Sequence, residues 1–180
     1  MTTETLVLAG GCFWCTEAVF EQVRGVLDVE SGYSNGQAER PTYEEVCTGA
    51  TGCAEVVKLV YDPAVIGVRD LLTIFFATHD PTTPNRQGND VGTQYRSGIY
   101  YSDPTHEQVA AQLLHQLQQE QAFGAPIVTE LQPLGNFWPA ESYHQDFYER
   151  NPNQGYCNFV VAPKVSKFRK TFARHLKPDA

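Results

Sequence analysis

Gly10-Gly11-Cys12-Phe13-Trp14-Cys15 places a thiol where an apolar strand gives way to a helix. Thr5 to Ala9 reads as a buried strand. From Cys12 onward Phe13, Ala18, Val19, Phe20 and Val23 recur at helical spacing, with Thr16, Glu17, Glu21 and Gln22 on the other face. A thiol at a helix N-terminus meets free N–H groups and the positive end of the helix dipole, both of which favour the thiolate. The pattern therefore predicts a nucleophile at Cys12 with a lowered pKa. Gly10 and Gly11 permit a tight turn and a close approach of substrate to the backbone, and Phe13 and Trp14 set a large apolar surface beside the sulfur.

Two other stretches carry polar chemistry. Glu55 heads an apolar strand after Thr51-Gly52-Cys53-Ala54, a setting in which burial would raise its pKa and make it a general acid. His79 to Tyr95 has little to pack and many donors and acceptors, which suits either the wall of a site or a solvated loop. Five cysteines, Cys12, Cys15, Cys47, Cys53 and Cys157, are an odd number. In an intracellular chain they argue for redox or metal chemistry rather than a disulfide framework. Cys47 and Cys53 read as small core residues. Cys12-Phe13-Trp14-Cys15 could be a thioredoxin-like dithiol, and Cys12, Cys15, Cys53 and a histidine could hold zinc, although one short Cys-x-x-Cys without a second pair is weak evidence for that metal.

The elements that must position these groups follow from periodicity and punctuation. Gly25 ends the first helix, Val26 to Tyr33 and Glu55 to Tyr61 read as strands, Val68 to Thr78 as a helix and Ser97 to Tyr101 as a short strand. Asp103-Pro104 is an N-cap with proline at the first helical position, opening a long helix to about Ala122. Ile127 to Leu131 is a further strand and Ala140 to Glu149 a helix, followed by an irregular stretch from Asn151 to Pro163. Lys164 to Lys177 is an amphipathic terminal helix whose basic face is solvated. This order favours an α+β, two-layer α/β sandwich with a ferredoxin-like βαββαβ core and a long C-terminal coil. Residues 1–180 are expected to form a single domain, with a monomer the default. A net charge of −8 and an isoelectric point near 5.0 argue against a nucleic-acid partner. No apolar run reaches membrane-spanning length, and the N-terminus carries no basic segment followed by an apolar stretch. A cytoplasmic protein with no membrane partner is expected.

Six blocks, taken together, resemble the peptide methionine sulfoxide reductase A family: Gly11-Cys12-Phe13-Trp14, Thr42 to Cys47, Gly52 to Glu55, His79-Asp80-Pro81, Gln87 to Ser97 and Gly155-Tyr156-Cys157. They occur in order over about residues 5 to 160. The resemblance implies reduction of the S epimer of methionine sulfoxide, free or in proteins, with no metal or organic cofactor. It also implies roles. Cys12 would attack the sulfoxide sulfur and become a sulfenic acid, Glu55 would protonate the oxygen, Tyr43 and Tyr95 would hydrogen-bond it, and Asp90 would hold the polar network. Phe13 and Trp14 would cradle the substrate methyl. Cys157, on a glycine-flanked loop, would resolve the sulfenic acid as a disulfide that thioredoxin reduces. The chemistry agrees, since a sulfoxide oxygen leaves poorly unless protonated and a sulfenic acid without a second thiol is open to overoxidation. Cys15 could itself trap the sulfenic acid, but one helical turn from Cys12 it is expected to need backbone strain to bridge.

Overall fold

Leu6 and Leu8 point to one side of the first strand and Val7 and Ala9 to the other, and all four are buried. A strand apolar on both faces belongs at the centre of a sheet. In the computed structural model, which describes residues 2–178, this strand, β1 (Glu4–Gly10), lies inside a six-stranded sheet. The other strands are β2 (Val26–Ser34), β3 (Ala54–Tyr61), β6 (Ser97–Tyr101), β7 (Glu130–Pro133) and β8 (Phe137–Pro139), in the order β7-β6-β1-β3-β2-β8. β1 pairs antiparallel with both neighbours, Leu8 opposite Val57 on β3 and Ile99 on β6. The sheet has one strand more than the five expected from the sequence. β7 joins β6 in parallel, and β8, three residues long and unpredicted, pairs antiparallel with β2.

One face of the sheet carries the helices. Leu6, Leu8, Val57, Leu59 and Ile99 share a core with Phe20 of α1 (Phe13–Phe20), Leu71 and Phe75 of α3 (Val68–Ala77), Leu113 of α4 (Pro104–Gln119) and Phe168 of α6 (Ala162–Thr171). On the opposite face Val7, Ala9, Ala54, Val56 and Tyr100 are covered by Leu134 and Phe137. Alternation along β3 decides the fate of Glu55: it shares parity with Val57 and Leu59 and so faces the helices. α1 is buried almost all round, because the sheet covers one side and the C-terminal segment the other.

The helix boundaries obey their local signals. Asp103 caps α4 by accepting from the Thr105 N–H at 2.8 Å. A short helix, α2 (Tyr43–Cys47), is started by a reciprocal capping box between Thr42 and Glu45. Between α3 and β6 the chain forms a two-residue ladder, β4 (Arg86–Gln87) with β5 (Asp90–Val91), and a 3₁₀ turn, Thr93–Tyr95.

The C-terminal third corrects two expectations. The helix expected from Ala140 to Glu149 is broken: Asp146 takes a left-handed conformation, φ 55°, between a 3₁₀ turn at Ser142–His144 and α5 (Phe147–Arg150). The expected long coil is largely helical, because Val161, Val165 and Phe168 bury against α1 and the core. A π-helical turn, Cys157–Val161, runs directly into α6. A third 3₁₀ turn, Ala173–His175, then returns the chain to the end of α1, with Val23 bridging Leu176 and the Lys177 N–H donating to the Gln22 carbonyl at 2.9 Å. No helix among the described residues is long and apolar enough to cross a membrane.

Candidate active site

The turn between β1 and α1 is held from behind. Gly11 has φ 93°, and a Cβ there would lie 2.6 Å from the Gln87 side chain, so glycine is required on both conformational and steric grounds. Gln87 is pinned in turn, accepting from the Asp80 N–H at 2.8 Å and donating to the Asp80 carbonyl at 2.9 Å. This brace makes Cys12 the N-cap of α1, partly exposed, with φ −59° and a non-helical ψ of 126°.

Glu55 reaches the same spot from β3. Its Oε1 accepts from the Phe13 N–H at 3.1 Å, while its Oε2 is buried without a partner. Burial drives the carboxyl pKa up to about 8, the Phe13 N–H opposing it and Asp90 adding to it. The expectation for Cys12 is reversed. The thiol is pushed well above its ordinary pKa by burial, by Glu55 and by Cys15, and the Trp14 N–H and Tyr156 hydroxyl only partly offset this. The helix N-terminus contributes as expected, but desolvation is the larger effect. Thiol and carboxyl therefore both rest as neutral acids near pH 7.

Three phenol groups converge here. Burial and the Glu55 charge both raise the Tyr43 and Tyr95 pKa values, and burial and Cys12 raise that of Tyr156. All three hydroxyls stay protonated and can donate. Tyr43 opens α2, which is tied to the sheet through Glu141, an acceptor for the Tyr43 N–H at 2.9 Å and for the Tyr33 hydroxyl at 2.7 Å. Asp90 does not touch Glu55 by hydrogen bond. It accepts from the Tyr156 hydroxyl at 2.5 Å.

Phe13 and Trp14 part company. Phe13 is 1% exposed, packed between Tyr33 and His144, and so backs the site rather than lining it. Trp14 keeps some surface, stacks on Phe147 at 3.7 Å between ring centres and donates its indole N–H to His144 Nδ1 at 3.0 Å.

Cys157 is not on an open loop. It is fully buried and packs with Cys15, Ala18, Val161 and Val165. Cys53 is buried as expected, whereas Cys47 is exposed at the end of α2, because that helix presents only Val46 to the core. The groups of acidic and histidine side chains close enough to hold a cation among the described residues are Glu4-Asp103-His106 and Glu17-Glu21-Asp146. Neither includes a cysteine, so the zinc grouping of Cys12, Cys15 and Cys53 is not assembled. Sequence reasoning missed Tyr156, His144, Glu141 and Gln87. Tyr156 and Gln87 lay inside recognised blocks but had no role; His144 and Glu141 carried no signal, because their hydrogen-bond partners lie 98 to 130 residues away in the chain.

Residues 4–176 match the sequence profile of a family described as peptide methionine sulfoxide reductase. A protein of Ralstonia nicotianae, peptide methionine sulfoxide reductase MsrA, is 54% identical over 97% of this chain and 93% of its own length. The fold is similar to that of methionine sulfoxide reductase A of Corynebacterium diphtheriae, with a TM-score of 0.82 and 38% identity over 87% of this chain and 78% of that one. It is also similar to Mxr1 of Saccharomyces cerevisiae in complex with Trx2, with a TM-score of 0.56 and 27% identity over 81% of this chain and 84% of that one.

Proposed function

The chain belongs to the peptide methionine sulfoxide reductase family, and from that premise we propose that it reduces the S epimer of methionine sulfoxide, free or in proteins, as a single cytoplasmic domain. Each sulfoxide epimer has its own reductase. The observation that carries the reading is the buried Glu55 carboxyl, one oxygen unpaired, hydrogen-bonded beside the cysteine that starts α1. A neutral acid and a thiol meeting at one point suit a reaction in which an oxygen must be protonated as its sulfur is attacked.

The Cys12 sulfur attacks the sulfoxide sulfur and forms an S–S bond. Glu55 gives its proton to the sulfoxide oxygen and takes up the thiol proton, so a resting thiol is no obstacle. The hydroxyl then passes to the Cys12 sulfur as the S–O and S–S bonds break. The products are methionine, reduced by two electrons, and a Cys12 sulfenic acid, oxidised by two. Tyr43 and Tyr95 donate to the oxygen, Asp90 fixes the network through Tyr156, and Trp14, backed by Phe13, receives the substrate methyl. The scheme needs no metal or organic cofactor.

Cys157 resolves the sulfenic acid, and thioredoxin reduces the disulfide. A structural relative solved with Trx2 supports a protein reductant. So does Phe159, 79% exposed and two residues from Cys157, an aromatic surface for such a partner. The test is an epimer-resolved assay, first with dithiothreitol and then with thioredoxin. The S epimer should be consumed and the R epimer left; equal consumption would refute the assignment. Cys157→Ser should release methionine in its first turnover and then fail to cycle with thioredoxin.

A further inference from the structure

Cys15 is the buried thiol that the scheme above does not use, and it neighbours both of the thiols that it does. On one side, the Cys15 N–H donates to the Cys12 carbonyl at 3.1 Å. A turn closed in this way holds its end Cα atoms within about 7 Å, close to the span of about 4.4 to 6.8 Å that a disulfide bridges. Cys12 is the cap, outside the helix, with ψ 126°. The strain expected for two thiols on one regular helical turn therefore does not arise. On the other side, Cys15 packs against Cys157 in one buried cluster with Ala18, Val161 and Val165.

Tyr156 is the residue of the C-terminal segment that lies beside both Cys12 and Cys15. Its hydroxyl donates to Asp90 and stands 4.0 Å from the Cys15 sulfur. Cys157 itself is held in the helical run, its N–H donating to Gln154 Oε1 at 3.1 Å. The residue that the C-terminal segment presents to Cys12 is Tyr156, and the thiol it presents is turned to Cys15.

We propose that Cys15 is the first thiol to meet the Cys12 sulfenic acid and that it passes the disulfide on to Cys157. The inference rests on Cys12 being the nucleophile, as proposed above, and divides the resolution assigned there to Cys157 into two steps. In the first step the Cys15 sulfur attacks the Cys12 sulfur, the S–O bond breaks, and water leaves with the thiol proton. In the second the Cys157 thiolate attacks the Cys15 sulfur, the Cys12–Cys15 bond breaks, and Cys12 departs as thiolate and recovers a proton. Cys12 is then free while the oxidising equivalent sits on Cys15–Cys157, for an external dithiol to reduce.

The test is one turnover with the S epimer of N-acetyl-methionine sulfoxide, no reductant present, followed at intervals by alkylation and disulfide mapping. Wild type should show Cys12–Cys15 first and Cys15–Cys157 after it. Cys157→Ser should stop at Cys12–Cys15 with its methionine released. Cys15→Ser, with Cys15→Ala as a second variant, should release methionine but keep a Cys12 sulfenic acid that dimedone traps. The released methionine shows that each variant is folded. A Cys12–Cys157 bridge formed in Cys15→Ser as fast as oxidation spreads in wild type would overturn the relay. So would Cys157→Ser retaining sulfenic acid without a Cys12–Cys15 bridge. Failure of the underlying reading looks different: methionine would be released by Cys12→Ser, or by no variant at all.

Discussion

Cys12 and Cys157 are held by very different parts of the molecule. Cys12 follows a strand paired along both edges, from Glu4 opposite Tyr61 to Leu8 opposite Val57 on one side and from Val7 opposite Tyr100 to Gly10 opposite Ser97 on the other. Cys157 belongs to a run of short helices in which α5 buries no residue and α6 buries only Val165 and Phe168. Its ties to the rest are side-chain contacts, the hydrogen bonds from Tyr156 to Asp90 and from Arg169 to Gln22, and backbone bonds near Val23 and Leu176. Opening the sheet around Cys12 would break a cooperative ladder, whereas lifting the C-terminal run breaks far less, so local opening is the easier for the second. Bond-making at the sulfoxide needs groups fixed to within fractions of an ångström. Passing a disulfide on to a partner protein needs a part that moves. The chain assigns the two needs to separate regions.

The sharpest test of that division is Cys12→Ser, which should abolish methionine release while leaving the C-terminal run docked. Glu55→Gln comes next: the first-turnover rate should fall by about 10². Because the protonated carboxyl is the active form and its pKa is about 8, the wild-type rate should decline as pH rises through that value. The variant should lack that limb, and a limb that persisted would show that another group titrates there.

Tyr156→Phe probes the other region. It deletes a hydrogen bond to a carboxylate, so opening of the run should become easier by about 1.5 to 3 kcal/mol. Amide exchange over residues 155–161 should then quicken while that of β1 does not; parallel quickening would mean that the two regions open as one. The smallest effect is expected at Glu17, where α1 meets Asp146. Burial raises its pKa to about 7 from an ordinary 4.5, with the Ser31 hydroxyl opposing. A carboxyl with a raised folded pKa stabilises the fold fully below about 4.5 and loses that contribution as pH climbs through about 7. Thermal midpoints measured from pH 4.5 to 8 should therefore fall with rising pH, and less steeply in Glu17→Gln.

The fixed region was legible in the sequence and the movable one was not, for a physical reason. β1, β3, α1 and α3 bury continuous apolar patterns, and a pattern that sets a core also sets its own boundaries; the site residues on them, Cys12 and Glu55, stand where periodicity placed them. The turn from Ser142 to Arg150 has no such pattern. What decides it is a left-handed Asp146 and an Arg150 guanidinium donating to the Ser142, Tyr143 and Gln145 carbonyls. The Cys12 pKa departs from expectation for a related reason: the helix terminus is written locally, whereas the burial of the thiol and the charge of Glu55 beside it are set by the fold.

The π-helical turn at Cys157–Val161 sets the phase of the thiol at its start. A π turn is closed by i→i+5 bonds and so takes up one residue more than the α turn it replaces. Removing one residue between Cys157 and Ala162 would restore α geometry and swing Cys157 about 100° around the helix axis, off the face that meets Cys15. Relatives with the same cysteines but one residue fewer would then have their thiols out of phase. Counting residues in this short stretch, more than finding the cysteine, tells which chains can hand a disulfide along it.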